Sequence, residues 1–166
     1  AFIYKSGAWT QFSYAIPYLY ILGDQRTSIT GGWIEVSYSS STGTPSIVFG
    51  DSSISISSVA GANGGGNYIY PGVATKNAIN LTNVNRIRMD VLSAKKQHVT
   101  ALTVVSKTSG DLEDYIVART DIETGTTGIV DLDVSSLSGN YHVCAFATCA
   151  GAGATGYLEF DEVWME

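Results

Sequence analysis

Paired carboxylates are the residues of this sequence whose spacing comes nearest to a catalytic arrangement. They occur at Glu113–Asp114, Asp121 with Glu123, Asp131 with Asp133, and Asp161–Glu162. A glycoside hydrolase needs two carboxyl groups facing each other across a cleft, about 5 Å or about 6.5–9.5 Å apart. Asp131 and Asp133 fall on one strand face, where like charges indicate solvent. Asp161–Glu162 interrupts an apolar terminal strand, which favours a bulge or a solvated position over a cation site.

A glycine-rich run and two histidines are the other candidates for chemistry. The run from Gly151 to Gly156 matches G-x-G-x-x-G, but a nucleotide site needs a helix after it, to face the phosphates. Here Tyr157–Phe160 follows, with strand character. His98 and His142 lack the spacing of a zinc site. We therefore expect a hairpin loop at 151–156, structural histidines, no catalytic residue and no required cofactor.

Aromatic residues are the remaining group suited to ligand recognition. The chain has ten Tyr and three Trp, and a flat ring with a polar handle can stack on the apolar face of a sugar while amides and carboxylates bind its hydroxyls. Trp33 and Trp164 are predicted to lie in the core. The predicted ligand-binding residues, near loops or strand ends, are Tyr38, Asn67, Tyr68, Tyr70 and Tyr115, and the four tyrosines are predicted to be exposed.

Composition limits the class of protein and its partners. The 166 residues are 45% hydrophobic and 14% charged, which is typical of a folded domain. A net charge of -6 without a cluster of basic residues argues against nucleic acid. No apolar run approaches the roughly 18–20 residues that span a bilayer, so we expect a soluble domain without membrane insertion. Cys144 and Cys149 would lie about 16 Å apart on an extended strand, which favours buried thiols over a disulfide.

Hydrophobic residues alternate with polar ones along much of the chain. Ile54 and Ile56 alternate with serines, and Ile87, Met89 and Val91 with charged residues. The same alternation continues over residues 141–148, with Val143 and Ala145 on one face and Cys144 and Phe146 on the other. Such alternation predicts half-buried strands, and Gly, Asn, Asp and Ser clusters between them predict turns. The pattern predicts an all-β fold, an antiparallel β-sandwich of the jelly-roll type with about ten strands.

The start of the chain differs in composition from the rest. Residues 3–10 read as a small hairpin around Ser6–Gly7. We therefore divide the chain into residues 1–15, an N-terminal appendage or linker hairpin, and residues 16–166, the jelly-roll sandwich.

Several segments together resemble known modules by their order and spacing. They are Leu19–Asp24, Thr30–Trp33, Ile79–Asn83, Leu132–Gly139 and Phe160–Val163. Over most of residues 16–166 they resemble jelly-roll modules of tail and baseplate-associated proteins of phages that infect gut and other Gram-positive bacteria. The layout is also similar to carbohydrate-binding modules attached to glycoside hydrolases, in which the terminal Asp often helps to bind structural calcium. That resemblance implies calcium at Asp24 and Asp161, although Gln25 and Arg26 stand where those modules usually have Glu.

Three hypotheses about function follow. The first is a non-catalytic adhesion module of a phage tail protein, in the virion tail or otherwise extracellular, that binds cell-surface polysaccharide. The second is a structural tail or oligomerisation domain without glycan binding, such as a homotrimer. The third is a domain that acts on carbohydrate in another context, either as the binding module of a secreted glycoside hydrolase or as a small polysaccharide-degrading unit.

Overall fold

The computed structural model describes the backbone of residues 2–5, 8–11, 18–20, 31–39, 44–50, 52–60, 68–109 and 112–166, and the side chains of 31–36, 44–50, 52–60, 71–109 and 112–166. Fifteen strands and one 3-10 turn, Leu112–Tyr115, form the regular structure of this part of the chain. In chain order the strands are β1 Phe2–Lys5, β2 Ala8–Gln11, β3 Tyr18–Tyr20, β4 Trp33–Ser39, β5 Thr44–Phe49, β6 Ile54–Val59, β7 Tyr68–Thr75, β8 Ile79–Asn80, β9 Arg86–Lys95, β10 Thr100–Val105, β11 Ile116–Asp121, β12 Gly128–Asp133, β13 Asn140–Ala147, β14 Cys149–Ala150 and β15 Thr155–Met165. None of the described residues forms a helix long and apolar enough to cross a membrane.

Two antiparallel sheets contain every described strand except the first two. Sheet I has the order β12-β9-β15-β6-β5, and β3 also pairs with β15. Sheet II has the order β11-β10-β13-β7-β14, with β4 paired to β7 and β8 paired to β13. Strands β1 and β2 form a separate two-stranded hairpin. The predicted antiparallel sandwich with an N-terminal hairpin is confirmed, although the described residues place thirteen strands in the two sheets instead of about ten.

The main hydrophobic core lies between the two sheets. Successive side chains of a strand lie on opposite faces of the sheet, so Ile54 and Ile56 are fully buried in this core while Ser55 between them is only half-buried. Trp33 also belongs to this core, and Trp164 is buried on the other face of sheet I. Both tryptophans are thus buried, as predicted, Trp33 in the core between the sheets and Trp164 outside it. The predicted boundary between residues 15 and 16 lies outside the described residues and stays a prediction.

Sheet II carries a second apolar layer on its outer face, which we call the outer cluster. Its buried members are Val36, Ala74, Val105, Leu112, Cys144 and Phe146. Leu112 reaches the cluster from the 3-10 turn, and Ile34, Tyr115 and Ile116 pack against it. Strand β13 is therefore buried on both faces from Val143 to Ala147, unlike a strand with one solvated face.

The prediction of buried thiols is confirmed, whereas the prediction of a hairpin loop at 151–156 is wrong. Cys144 and Cys149 are free, buried thiols, and burial raises the pKa of the Cys144 thiol above its ordinary range. A turn at Gly151–Gly153 leads directly into β15, with no helix after it. Because β14 pairs with β7 in sheet II and β15 pairs with β6 and β9 in sheet I, the run connects the two sheets and is not the predicted hairpin loop. The helix that a nucleotide phosphate needs does not follow it.

Side chains close the ladder of sheet II at its β14 end. The Gln97 amide donates Nε2–H to the carbonyl oxygen of Ala150 at 2.7 Å, and its Oε1 accepts the Ala150 N–H at 2.6 Å. Ala150 pairs with Tyr68 of β7 on its other side. At the opposite edge, the Thr120 hydroxyl of β11 donates to the Asp131 carbonyl oxygen of β12 at 2.9 Å and ties the two sheets together.

Candidate functional site

Two of the predicted ligand-binding tyrosines occupy directly opposing positions. Tyr38 of β4 is the register partner of Tyr70 of β7, and Tyr68 is the register partner of Ala150 in β14. Cross-strand partners have Cβ atoms about 4.5–5.5 Å apart and lie on one face of the sheet. The pairing thus places two aromatic residues side by side, although 32 positions separate them in the sequence.

The face on which they stand follows from the strand period. Tyr70 and Gly72 are two positions apart in β7, and Gly72 opposes both Val36 of β4 and Phe146 of β13. Because strand positions two apart alternate to the same face, positions 38 and 70 continue the row that contains Val36 and Gly72.

Gly72 shows how closely the strands approach here. A Cβ at this position would lie 2.8 Å from the Ala145 carbonyl oxygen and would overlap the ring of Phe146. The Phe146 ring therefore covers the backbone of β7 at Gly72, with only 4% of its surface exposed. The sequence analysis did not single out either residue, although a glycine inside a strand is itself a signal of close approach.

Polar residues stand across the same face on β10 and β11. Thr103 opposes Arg119, and Ala101 opposes Asp121. The Arg119 guanidinium donates to Asp121 through Nε and Nη2, and Lys96 donates to Asp121 at 3.1 Å. The bond from Arg119 and then that from Lys96 lower the pKa of the Asp121 carboxyl, against partial burial, which raises it. Asp121 is therefore ionised and held in place at the rim of the face.

Tyr115 lies at the end of the 3-10 turn, and its position corrects one expectation. We predicted an exposed ring, but Tyr115 is half-buried and packs against the outer cluster. The ammonium group of Lys107 lies 4.0 Å from the ring centroid, a cation–π contact. The Tyr115 ring is thus in contact with the outer cluster and with the Lys107 ammonium group. It lies at the border of the outer face of sheet II and is not free to stack on a sugar.

The carboxylate pairs separate into individual interactions. Asp131 accepts a hydrogen bond from Arg88 Nε at 2.6 Å, and Asp133 accepts the Ser135 N–H at 2.9 Å. Both stand on the outer face of sheet I, as predicted for solvated strand positions. Glu113 and Asp114 are exposed on the 3-10 turn. These arrangements are those of surface ion pairs and turns.

Asp161 occupies a bulge, as predicted. Phe160 pairs with Val91 and Glu162 with Asp90, which leaves Asp161 without a register partner on β9. Its Oδ1 is buried and has no hydrogen-bond partner among the described residues. Partial burial first, then the charge of Asp90, raises the pKa of Asp161, and burial and the charges of Asp161 and Asp90 raise the pKa of Glu162.

Calcium at Asp161 stays a prediction. An unpartnered, buried carboxylate oxygen beside two further carboxylates is a hard-oxygen setting that suits this ion. Among the described residues, however, no three acidic, His or Cys side chains are arranged to hold a metal. Asp24, the other residue predicted for calcium, and Asn67, predicted to bind ligand, both lie outside the described residues.

Comparisons with known proteins identify structures of similar outline. No protein-family model matches the sequence, and no curated protein sequence matches it significantly. One similar solved structure is a family 11 carbohydrate-binding module from Clostridium thermocellum in complex with a beta-1,3-1,4-mixed-linked tetrasaccharide, at 10% identity and a TM-score of 0.47, covering 80% of this chain and 87% of that chain.

Two further structures are similar at comparable coverage. The K1 cleaved adhesin domain of Lys-gingipain from Porphyromonas gingivalis has 15% identity and a TM-score of 0.41, covering 80% of this chain and 98% of that one. CsCBM6-3 from Clostridium stercorarium in complex with cellobiose has 13% identity and a TM-score of 0.34, covering 78% and 92%. None of the three is described as a phage protein, and identities and TM-scores this low carry no argument about function.

Proposed function

We propose that this chain is a non-catalytic carbohydrate-binding and adhesion domain whose binding site lies on the outer face of sheet II, centred on Tyr38 and Tyr70. The observation that carries the proposal is the direct cross-strand register of these two positions in β4 and β7. Two adjacent aromatic residues offer stacking area for consecutive sugar units, since a ring binds the apolar face of a pyranose.

The neighbouring residues support the same role. Asp121 is an ionised carboxylate at the rim of the face, where Arg119 and Lys96 hold it in place. Ion-paired and hydrogen-bonded groups of this kind accept and donate bonds to sugar hydroxyls without a proton-transfer step. We propose a cell-surface polysaccharide as partner, an extracellular setting such as a virion tail, and a homotrimer as the assembly.

Affinity electrophoresis through gels containing neutral polysaccharides, followed by isothermal titration with the retarding polymer, tests this site. Tyr38→Ala and Tyr70→Ala together should weaken binding at least about 30-fold, equivalent to about 2 kcal/mol for two stacking anchors. Tyr70→Phe should bind within about threefold of the parent, because it keeps the ring. Asp114→Asn, on the exposed 3-10 turn, serves as a remote control.

Two outcomes would contradict the proposal. The first is a domain that no polysaccharide retards. The second is a double alanine variant that binds as tightly as the parent while its circular dichroism is unchanged. Sedimentation equilibrium of the parent tests the homotrimer separately, and a monomer at all concentrations would exclude it.

A further inference from the structure

A second polar surface stands on the opposite side of the sandwich, on the outer face of sheet I. We call it the serine platform, and it consists of Ser46 of β5, Ser55 and Ser57 of β6, and Tyr157 and Glu159 of β15. These residues form two rows across three strands: Tyr157 opposes Ser57, which opposes Ser46, and Glu159 opposes Ser55. The residues between them along β6 and β15, such as Ile56 and Leu158, face the other side of the sheet and are fully buried in the core.

The centre of the platform is a carboxylate held by hydroxyl groups. Ser53 Oγ donates to Glu159 Oε1 at 2.7 Å, and the Tyr157 hydroxyl donates to Glu159 Oε2 at 2.7 Å. These two bonds lower the pKa of Glu159, against partial burial, which raises it. Partial burial, then the bond to Glu159 and its charge, raise the pKa of Tyr157 to about 12. The carboxylate is therefore ionised and the tyrosine hydroxyl is a fixed donor.

This carboxylate differs from Asp121 and Asp131, two other anchored carboxylates of the described surface. Asp121 and Asp131 are paired to lysine or arginine, whereas Glu159 forms no ion pair within the described residues. Each of its oxygens accepts one hydrogen bond and keeps further acceptor capacity, since an ionised carboxylate offers about four acceptor sites. Lys95, which opposes Tyr157 on the same face, donates to Thr155 Oγ1 at 2.6 Å and forms no ion pair with Glu159. A ligand group placed directly on Glu159 must therefore be a donor, and an anion at that point is repelled.

The serines around it have hydroxyls to spare. Ser55 and Ser57 are half-buried between longer neighbours, and their side chains make no hydrogen bond within the described residues. Each hydroxyl can donate one bond and accept two. The half-exposed ring of Tyr157, fixed by its bond to Glu159, stands beside this row of short side chains. Because these groups are already fixed in the free protein, they lose little conformational entropy when a ligand binds.

We propose that the serine platform is a second carbohydrate-binding surface, specific for neutral glycan chains. Tyr157 supplies the stacking ring, Glu159 accepts hydrogen bonds from ligand hydroxyls, and Ser55 and Ser57 donate and accept at the floor. The charge of Glu159 repels the carboxylate or phosphate of an anionic glycan that stacks on Tyr157 and reaches Glu159. Because this surface lies opposite the Tyr38–Tyr70 face, one molecule binds two separate glycan chains and links them.

The test separates the two surfaces by nuclear magnetic resonance. The ¹⁵N-labelled full chain is titrated with cellotetraose, xylotetraose, mannotetraose and tetra-N-acetylchitotetraose, with tetragalacturonate as the anionic probe. At least one neutral tetrasaccharide should shift the amide resonances of Ser55, Ser57 and Tyr157, also in the Tyr38→Ala, Tyr70→Ala double variant. Tetragalacturonate should leave them unmoved.

Variants of the platform decide the assignment. Glu159→Gln, which keeps the shape of the side chain, and Ser55→Ala with Ser57→Ala should each weaken this binding at least tenfold. Asp114→Asn, the same carboxylate-to-amide change on the exposed 3-10 turn, should not. The parent should also cross-link the corresponding polysaccharide, seen as turbidity, and Glu159→Gln should not.

The outcomes distinguish this inference from the proposed function. If neutral tetrasaccharides shift only resonances of sheet II, or if Glu159→Gln binds like the parent, the platform is overturned and the tyrosine site stands. If the platform resonances shift and those flanking Tyr38 and Tyr70 do not, the platform is supported and the tyrosine site is overturned. If no tetrasaccharide of the panel shifts any resonance, the platform is overturned as well.

Discussion

The outer faces of the two sheets differ in the polarity of their side chains. Sheet II buries the outer cluster, so that β13 is apolar on both sides, whereas the outer face of sheet I carries serines and ion pairs, with Trp164 as its buried exception. A face that buries side chains contributes stability through packing, and a face of hydroxyls and ion pairs contributes little to stability and keeps its polar groups available. The comparison predicts where substitutions are costly.

The largest effect is expected at the outer cluster. Phe146→Ala removes a ring that is only 4% exposed and that packs over Gly72. It should lower the free energy of unfolding by about 3–5 kcal/mol. Urea unfolding measures it. Tyr157→Ala on sheet I, a half-buried aromatic residue, is the matched control and should cost clearly less. Equal losses at the two positions would show that the two faces do not differ in this way.

A smaller effect of opposite sign is expected at the bulge of sheet I. The pKa of Asp161 is raised in the folded state, so its protonation favours folding: that contribution is complete below the unfolded value near 3.8 and is lost as pH rises through the raised value. Asp161→Asn should therefore raise the thermal unfolding temperature at pH 7 and have little effect at pH 3.

The calcium prediction is tested on the same pair of proteins. If Asp161 holds calcium, millimolar calcium should stabilise the parent and not Asp161→Asn, by the usual coupling of ligand binding to stability. An Asp161→Asn variant that melts below the parent at pH 7 in chelator would contradict the account of Asp161 as a carboxylate whose partial burial outweighs its backbone hydrogen bonds.

The smallest effect is expected at the ion pairs of sheet I. Arg88 contacts Asp131 at 2.6 Å and Glu166 at 3.0 Å, with about a quarter of its side chain exposed. Arg88→Gln should cost about 1 kcal/mol or less, and the difference from the parent should shrink in 1 M salt. Urea unfolding at two salt concentrations measures this, and a loss as large as that of Phe146→Ala would erase the contrast between the faces.

Sequence reasoning predicted sheet I better than sheet II. Alternation in β6 and β9 correctly predicted Ile54, Ile56, Ile87 and Met89 as inward-facing, because one face of these strands is polar. It also predicted the bulge at Asp161, where charged residues interrupt an apolar run. On these strands, local pattern and tertiary environment agree.

The same reasoning failed where both faces are apolar. In β13 it predicted one half-buried face, but Cys144 and Phe146 are as buried as Val143 and Ala145, because the 3-10 turn and β4 add the outer cluster. Half-burial of Tyr115 was missed for the same reason. The cross-strand pairing of Tyr38 with Tyr70 could not be predicted from the sequence either, because strand register depends on partners that are distant along the chain.

The amide of Gln97 has a consequence for the solubility of the domain. By donating to and accepting from Ala150, it occupies both backbone groups of a strand end that would otherwise offer a free ladder to another chain. Exposed ladders of this kind recruit strands from neighbouring molecules and promote aggregation. The Gln97 side chain thus protects this end of β14 from edge-to-edge association. Strand β7 separates it from β4, which carries Tyr38.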